Sequence, residues 1–214
     1  MATHEDPGAQ PAVRYDPERW LRLLPHRGYW PAELDAVRHG ATLPTLNREA
    51  VFSAATTEGK LAAAQLYVAA SAWGTGPSPQ GVVRRIRPLT PDPARFDTWI
   101  RDALDVLHSE GPVAAYRLLN NAGHIKHLGP AFFTKVLYFA GYRSDRPGLR
   151  PLIMDQYVVK ELNRRCNFRW RSTGWSTDQY EQYLVWTHDC AQGYGVEPDA
   201  VEYELFCAGK RPDG

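Results

Sequence analysis

The chain has 214 residues, with 25 Lys and Arg against 24 Asp and Glu and a formal net charge of +1 at pH 7. That length supports one substantial core, and the near-balance of charge excludes a polyelectrolyte that binds its partner through net charge alone. Cys166, Cys190 and Cys207 fall in no paired spacing, which supports neither a disulfide framework nor a zinc or iron–sulfur motif, and no apolar run approaches the roughly 20 residues of a membrane span.

The polar stretch from Met1 to Pro11 lacks the apolar core of a signal peptide, so a cytoplasmic protein without a membrane partner is expected. Residues 1–14 read as a flexible tail and 15–214 as a single helical domain. Asp16-Pro17-Glu18 opens a short helix through Leu24, which Pro25-His26-Arg27-Gly28 stops. Helical patterns follow from about Asn47 to Ala55 and from Lys60 to Trp73, the second ended by Gly74-Thr75-Gly76-Pro77. Arg84, Arg85 and Arg87 read as part of an extended, proline-rich connection. Pro93 to His108 is strongly amphipathic, with Phe96, Trp99, Ile100, Ala103, Leu104 and Leu107 at helical spacing.

Gly111-Pro112 breaks the chain before a helix from Val113 to Asn121. A short hairpin from His124 to Gly129 then leads into an apolar helix from Pro130 to Ala140, so the helix-hairpin-helix unit spans about 113–141. Gly129 can take a geometry that a Cβ penalises, and Pro130 suits a first helical position, where no N–H is needed. The exposed amides of such a helix start suit an anion, a DNA phosphate among them. Leu152 to Arg165 reads as helical from near Asp155, Ser176 or Thr177 caps a helix to about Gln192, and Glu197-Pro198-Asp199 starts the last, through about Cys207. The expected fold class is all-α, with eight or nine helices and no sizeable sheet.

Lys135 and Asp155 are each the lone charge of an apolar window, and their signs are opposite. Among Phe132, Phe133, Val136, Leu137 and Phe139 an amine is poorly hydrated, which lowers its pKa by up to about 3–5 units on full burial. A larger neutral fraction is what a nucleophilic amine needs. A structural ion pair between two helices, or a lysine reaching out to the surface, explains the same pattern. From Arg143 to Arg171 basic residues outnumber acidic ones, which fits either a phosphate backbone or a solvated face. His124 and His127 match a metal pair only in spacing, so no metal and no organic cofactor is expected.

The hairpin, the run from Gly129 to Ala140, Asp155 and the C-terminal Asp199-Ala200-Val201-Glu202-Tyr203-Glu204-Leu205-Phe206 together resemble the helix-hairpin-helix, Gly-Pro-Asp DNA glycosylase superfamily. Within it the likeness is to the bacterial OGG-fold group and the archaeal 8-oxoguanine glycosylases, over roughly residues 60–208. The resemblance implies a helical glycosylase fold and excision of an oxidised or modified guanine from double-stranded DNA, with the base flipped into a pocket. It gives Lys135 the role of nucleophile or proton carrier and Asp155 that of its electrostatic and acid–base partner. The superfamily's lysine usually stands where this chain has Ala131. Lys135 lies one helical turn further on the same face, so strand-cleaving lyase activity is expected to be weak at most.

A guanine edge carries two donors, the N1–H and the exocyclic amine, which an acceptor and an aromatic cover complement. The resemblance carries those roles to Glu202 and Phe206 on the last helix, with Phe132 as the opposite stacking face and Trp73 as a wall. His127, Gly129, Arg164, Arg165 and Arg169 are the candidate DNA contacts. Plain core packing of the aromatic residues and a solvated Glu202 remain open. Relatives of the OGG-fold group occur in type IV CBASS anti-phage operons, which implies an alternative: a non-catalytic binder of a deazaguanine-type base, borne by DNA or by a partner protein.

Overall fold

Short polar caps and prolines at first helical positions set where most of the helices begin. The computed structural model describes residues 11–35 and 43–212. Among them Asp16 caps α1 (Pro17–Leu23), Asn47 caps α3 (Arg48–Ala55) and Ser78 caps α5 (Pro79–Ile86), each side chain accepting a backbone N–H. The four-residue α2 (Ala32–Asp35) precedes α3, and α4 (Ala62–Thr75) follows it. Asp92 caps the long α6 (Pro93–Ser109), after which Gly111, at φ 100°, turns the chain into α7 (Pro112–Asn120). The remaining helices are α8 (Pro130–Gly141), α9 (Gln156–Cys166), α10 (Thr177–Tyr194) and α11 (Pro198–Lys210). The fold is all-α, with eleven α-helices among the described residues against the eight or nine expected.

One of the extra helices has a clear cause. The stretch with Arg84 and Arg85 is helical rather than extended, because Ser78 accepts from the Gly81 amide while Pro79 occupies a position whose N–H has no partner to lose. Residues 1–10 of the expected tail lie outside the described residues. Val13–Arg14, however, is a strand, β1, paired antiparallel with β2 (Thr45–Leu46), Val13 opposite Leu46 and Arg14 opposite Thr45.

Helix α4 is buried over nearly its whole length, and its Ala-rich sequence lets α3, α6 and α8 pack closely around it. Helix α8 is apolar on most sides and is buried from Phe133 to Phe139. On the other side α11 packs against α9 and α10, and α10 returns to α7. A Cβ on Gly209 of α11 would stand 2.0 Å from the Tyr157 carbonyl oxygen, so glycine alone permits the close crossing of α11 over the start of α9. The end of α4 and the middle of α8 face the start of α9 and the length of α11 across a cavity.

The hairpin between α7 and α8 departs from expectation in one respect. Gly129 has φ −96° and ψ 169°, a conformation open to any residue, and a Cβ there would meet nothing within 4 Å. The left-handed residue is His127, at φ 70°.

Candidate active site

A cavity of about 560 Å³ lies between these elements, within the range of about 300–1,000 Å³ typical of small-ligand sites. Lys135 and Asp155 share it, joined by Trp73 and Gly74 from the end of α4 and by Glu202 and Phe206 from α11. Strand β1 closes one side with Val13.

Lys135 sits in the middle of α8 and is only 6 % exposed. Its Nζ donates to the Ala131 carbonyl oxygen at 2.8 Å and lies 3.8 Å from Asp155 Oδ2. Burial lowers its pKa; the negative charges of Asp155 and Glu202 push it up again, and Arg85 and Arg48 add to the lowering. The side chain passes the α4 terminus where Gly74 offers no Cβ: one built there would stand 2.7 Å from Lys135 Cε.

Asp155 is the N-cap of α9. Its Oδ1 accepts from the Tyr157 amide at 2.9 Å and the Val158 amide at 3.2 Å, leaving Oδ2 on the lysine side. The chain leading to it, Pro151 to Met154, is buried but not helical, so α9 starts later than an apolar run from Leu152 suggests. The Met154 amide is held by Thr134 Oγ1 at 3.2 Å, one residue before the lysine on α8. The lysine and the carboxylate are therefore tied by backbone as well as by charge.

Glu202 is 3 % exposed, and burial raises its carboxyl to about 7 against the opposing pull of Arg48. Phe206 is half-buried, its ring edge-on to Tyr157 with centroids 5.7 Å apart. Trp73 is half-buried and edge-on to Phe139 at 5.3 Å. Phe132 does not line the cavity. Its ring lies 3.7 Å beneath the Arg85 guanidinium, one layer behind Gly74, so the opposite stacking face expected of it is already occupied by a cation.

The five candidate DNA contacts lie outside the cavity lining. His127, Gly129 and Arg169 are exposed. Arg164 and Arg165 are exposed too, but both are anchored to the buried Glu161, at 2.6 Å and 2.8 Å, and Arg165 also reaches Glu204. Arg150 pairs with Glu197, and Arg143 with Glu49, so much of the basic stripe is neutralised within the fold.

Sequence reasoning missed Arg48. It heads α3, is 5 % exposed, and joins Glu202, Asp199 and Tyr138 at the back of the cavity. Gly74 and Tyr157 were likewise not singled out as cavity residues. Among the described residues no group of three or more His, Cys, Asp or Glu side chains is placed to hold a metal ion, and no helix is long and apolar enough to cross a membrane.

A helix-hairpin-helix unit that delivers a buried lysine to a cavity, with an aspartate at the cap of the following helix, defines a glycosylase-like protein. The family model described as "Putative 8-oxoguanine DNA glycosylase OGG-like protein" matches residues 6–206, and the chain belongs to this OGG-like family. No curated protein and no solved structure matches the chain.

Proposed function

We propose that the protein excises an oxidised or otherwise modified guanine, of the 8-oxoguanine kind, from double-stranded DNA. The observation that carries this reading is the 3.8 Å approach of Lys135 Nζ to Asp155 Oδ2 inside a cavity shared with Glu202, Trp73 and Phe206. An ion pair serving stability alone has no need of a hollow beside it or of aromatic walls around it.

In the proposed reaction the flipped nucleotide brings its C1′ to the lysine. The neutral amine forms an Nζ–C1′ bond while the C1′–N9 bond breaks, its electron pair leaving on the purine, which takes a proton from water. Asp155 Oδ2 stabilises the cationic sugar and accepts the proton shed by the new secondary ammonium. Asp155 returns that proton to O4′ as the C1′–O4′ bond breaks and the nitrogen lone pair forms the C=N bond, which leaves an iminium that borohydride reduces. Phe206 and Trp73 cover the base, and Glu202 accepts from its edge. The hairpin at His127 and Gly129, together with Arg169, faces the phosphates.

A second reading is favoured by the internal pairing of Arg143, Arg150, Arg164 and Arg165, which leaves fewer charges for a duplex. In it the same cavity holds a deazaguanine-type base without cleaving it, in an anti-phage setting of the CBASS kind.

Incubation with an 8-oxoguanine duplex and borohydride separates the two. Release of the base, with a protein–DNA adduct that Lys135→Ala fails to form, is expected. Wild type that neither releases base nor forms the adduct, yet binds the free base with little dependence on salt, overturns the enzymatic reading in favour of the second.

A further inference from the structure

The buried arginine at the head of α3 has no part in the chemistry above, yet it is the most connected cation at the cavity. Arg48 Nη1 donates to Tyr138 OH at 2.9 Å and to Asp199 Oδ2 at 3.3 Å, while Nη2 donates to Glu202 Oε2 at 3.1 Å. Its guanidinium carbon lies 4.8 Å from the Tyr138 ring centroid and 5.6 Å from that of Trp73. Asp199 is fixed in turn by the hydroxyls of Tyr138 at 2.9 Å and Tyr142 at 2.8 Å. Arg48 is thus held on several sides, and only its Nε, buried, lacks a hydrogen-bond partner.

This arrangement fixes one carboxylate oxygen and leaves the other. Glu202 Oε2 is engaged by Arg48, whereas Oε1 accepts from no described residue, and the side chain lines the cavity. A carboxylate oxygen has two acceptor directions, so Oε1 and the remaining direction of Oε2 form a paired acceptor edge of set orientation. Such an edge matches a ligand with two adjacent N–H donors. A guanine-type base has them in its ring N1–H and 2-amino group; a hypoxanthine-type base lacks the second, and an adenine-type edge sets an acceptor against the carboxylate.

We infer that Arg48 is a positioning residue which holds Glu202 so that the cavity selects bases carrying both the ring N–H and the neighbouring amino group. This rests on the proposal that the cavity takes a guanine-type base. Selection arises because a base without the amino group leaves a desolvated carboxylate oxygen unpaired, a loss on the order of 100-fold in affinity. The charged groups that act on Glu202 are Arg48 from α3, Lys135 from α8, Asp155 at the cap of α9 and Asp199 on α11, and Glu202 acts in turn on the Tyr138 hydroxyl of α8 and the Tyr183 hydroxyl of α10. Arg48 is the cation in direct contact, so its removal disfavours the ionised acceptor and moves the pH midpoint of binding upward.

The test is binding of free 8-oxoguanine and free 8-oxohypoxanthine, followed by tryptophan fluorescence between pH 6 and 8. It uses the intact wild-type chain, Arg48→Met, Arg48→Lys and Glu202→Gln, each checked by thermal melting. Wild type is expected to favour 8-oxoguanine on the order of 100-fold. Arg48→Met should bring that ratio below about tenfold and raise the pH midpoint, and Arg48→Lys, which keeps the charge without the fork, should fall between. A folded Arg48→Met with ratio and midpoint unchanged overturns the inference, as does wild type that binds the two bases equally or binds neither. If Arg48→Met fails to fold, an unchanged ratio in Arg48→Lys overturns it equally well. The expected preference without base release from DNA leaves the role of Arg48 standing and sinks the glycosylase reading alone.

Discussion

Gly74 and Lys135 occupy one space: a Cβ on Gly74 would stand 2.7 Å from Cε and 2.8 Å from Cδ of the lysine. The bare end of α4 is therefore what lets the amine cross to Asp155. In Gly74→Ala the flexible lysine side chain must move, because the new methyl group sits on the backbone of a packed helix. Alanine also gains about 1 kcal/mol of helix propensity over glycine, which offsets much of the crowding. The variant is expected to melt close to wild type while borohydride adduct formation falls about 10- to 100-fold, since a shift near 1 Å at a reacting atom has that effect. Adduct formation at the wild-type rate would show that the lysine does not need this path.

Asp155 serves two purposes that substitution can separate. Its Oδ1 caps α9 through the Tyr157 and Val158 amides, and its Oδ2 faces Lys135. An asparagine side chain in its place retains an acceptor for the amides but carries no charge. We expect Asp155→Asn to keep the cap and lose base release, whereas Asp155→Ala loses a further ~0.5–2 kcal/mol of stability with the cap. Urea titration and a base-release assay on both variants check this. An active Asp155→Asn would confine the residue to helix capping.

The site's legibility in the sequence followed the range of its contacts. Lys135 and Asp155 stood out because each interrupts an apolar run, so burial could be inferred locally for both. Arg48 gave no such signal: it sits beside Glu49 at a helix start, where a charged residue looks solvated. Its partners Tyr138 and Glu202 lie 90 and 154 residues away. Helix α5 was obscured by reading Pro79 and Gly81 as loop residues, although Ser78 followed by Pro79 is also a helix start. The hairpin glycine misled in the opposite sense, since the strained backbone belongs to His127. Caps and periodicity are local, so most helix limits were readable; which faces meet is decided by close crossings such as Gly209 on Tyr157.

The ion pairs of α9 make a prediction about DNA. Arg164 and Arg165 both neutralise Glu161, which is 4 % exposed. Removing both arginines strands a buried carboxylate, and a loss of about 1–3 kcal/mol in stability is expected. If these side chains are structural anchors, the dependence of duplex affinity on salt concentration should keep its slope in the double Arg164→Ala, Arg165→Ala variant. Arg169→Ala should lower that slope by about one, the signature of a lost phosphate contact. A fall of two in the double variant would instead make both arginines backbone contacts.

Glu202 links stability to pH with a sign opposite to that of an ordinary ion-paired carboxylate. Its carboxyl is raised to about 7 from the usual 4.5, chiefly by burial, so between those values the folded protein binds a proton that the unfolded chain has released. Its contribution is fully present below 4.5 and is lost as pH rises through 7, a change on the order of 3 kcal/mol. Lys135, lowered by burial, runs the other way: its contribution is present above 10.5 and falls away as pH drops through the lowered folded value. Denaturant unfolding of wild type and Glu202→Gln at pH 5 and pH 8 exposes the glutamate; loss of its charge also lowers Lys135 further, which moves the comparison in the same direction. Wild type should lose stability relative to Glu202→Gln on going from pH 5 to pH 8, while ionisation in that same interval creates the acceptor edge that a guanine-type base requires. Equal pH dependence in the two proteins would mean that Glu202 is already ionised at pH 5 and that Arg48, rather than burial, governs its charge.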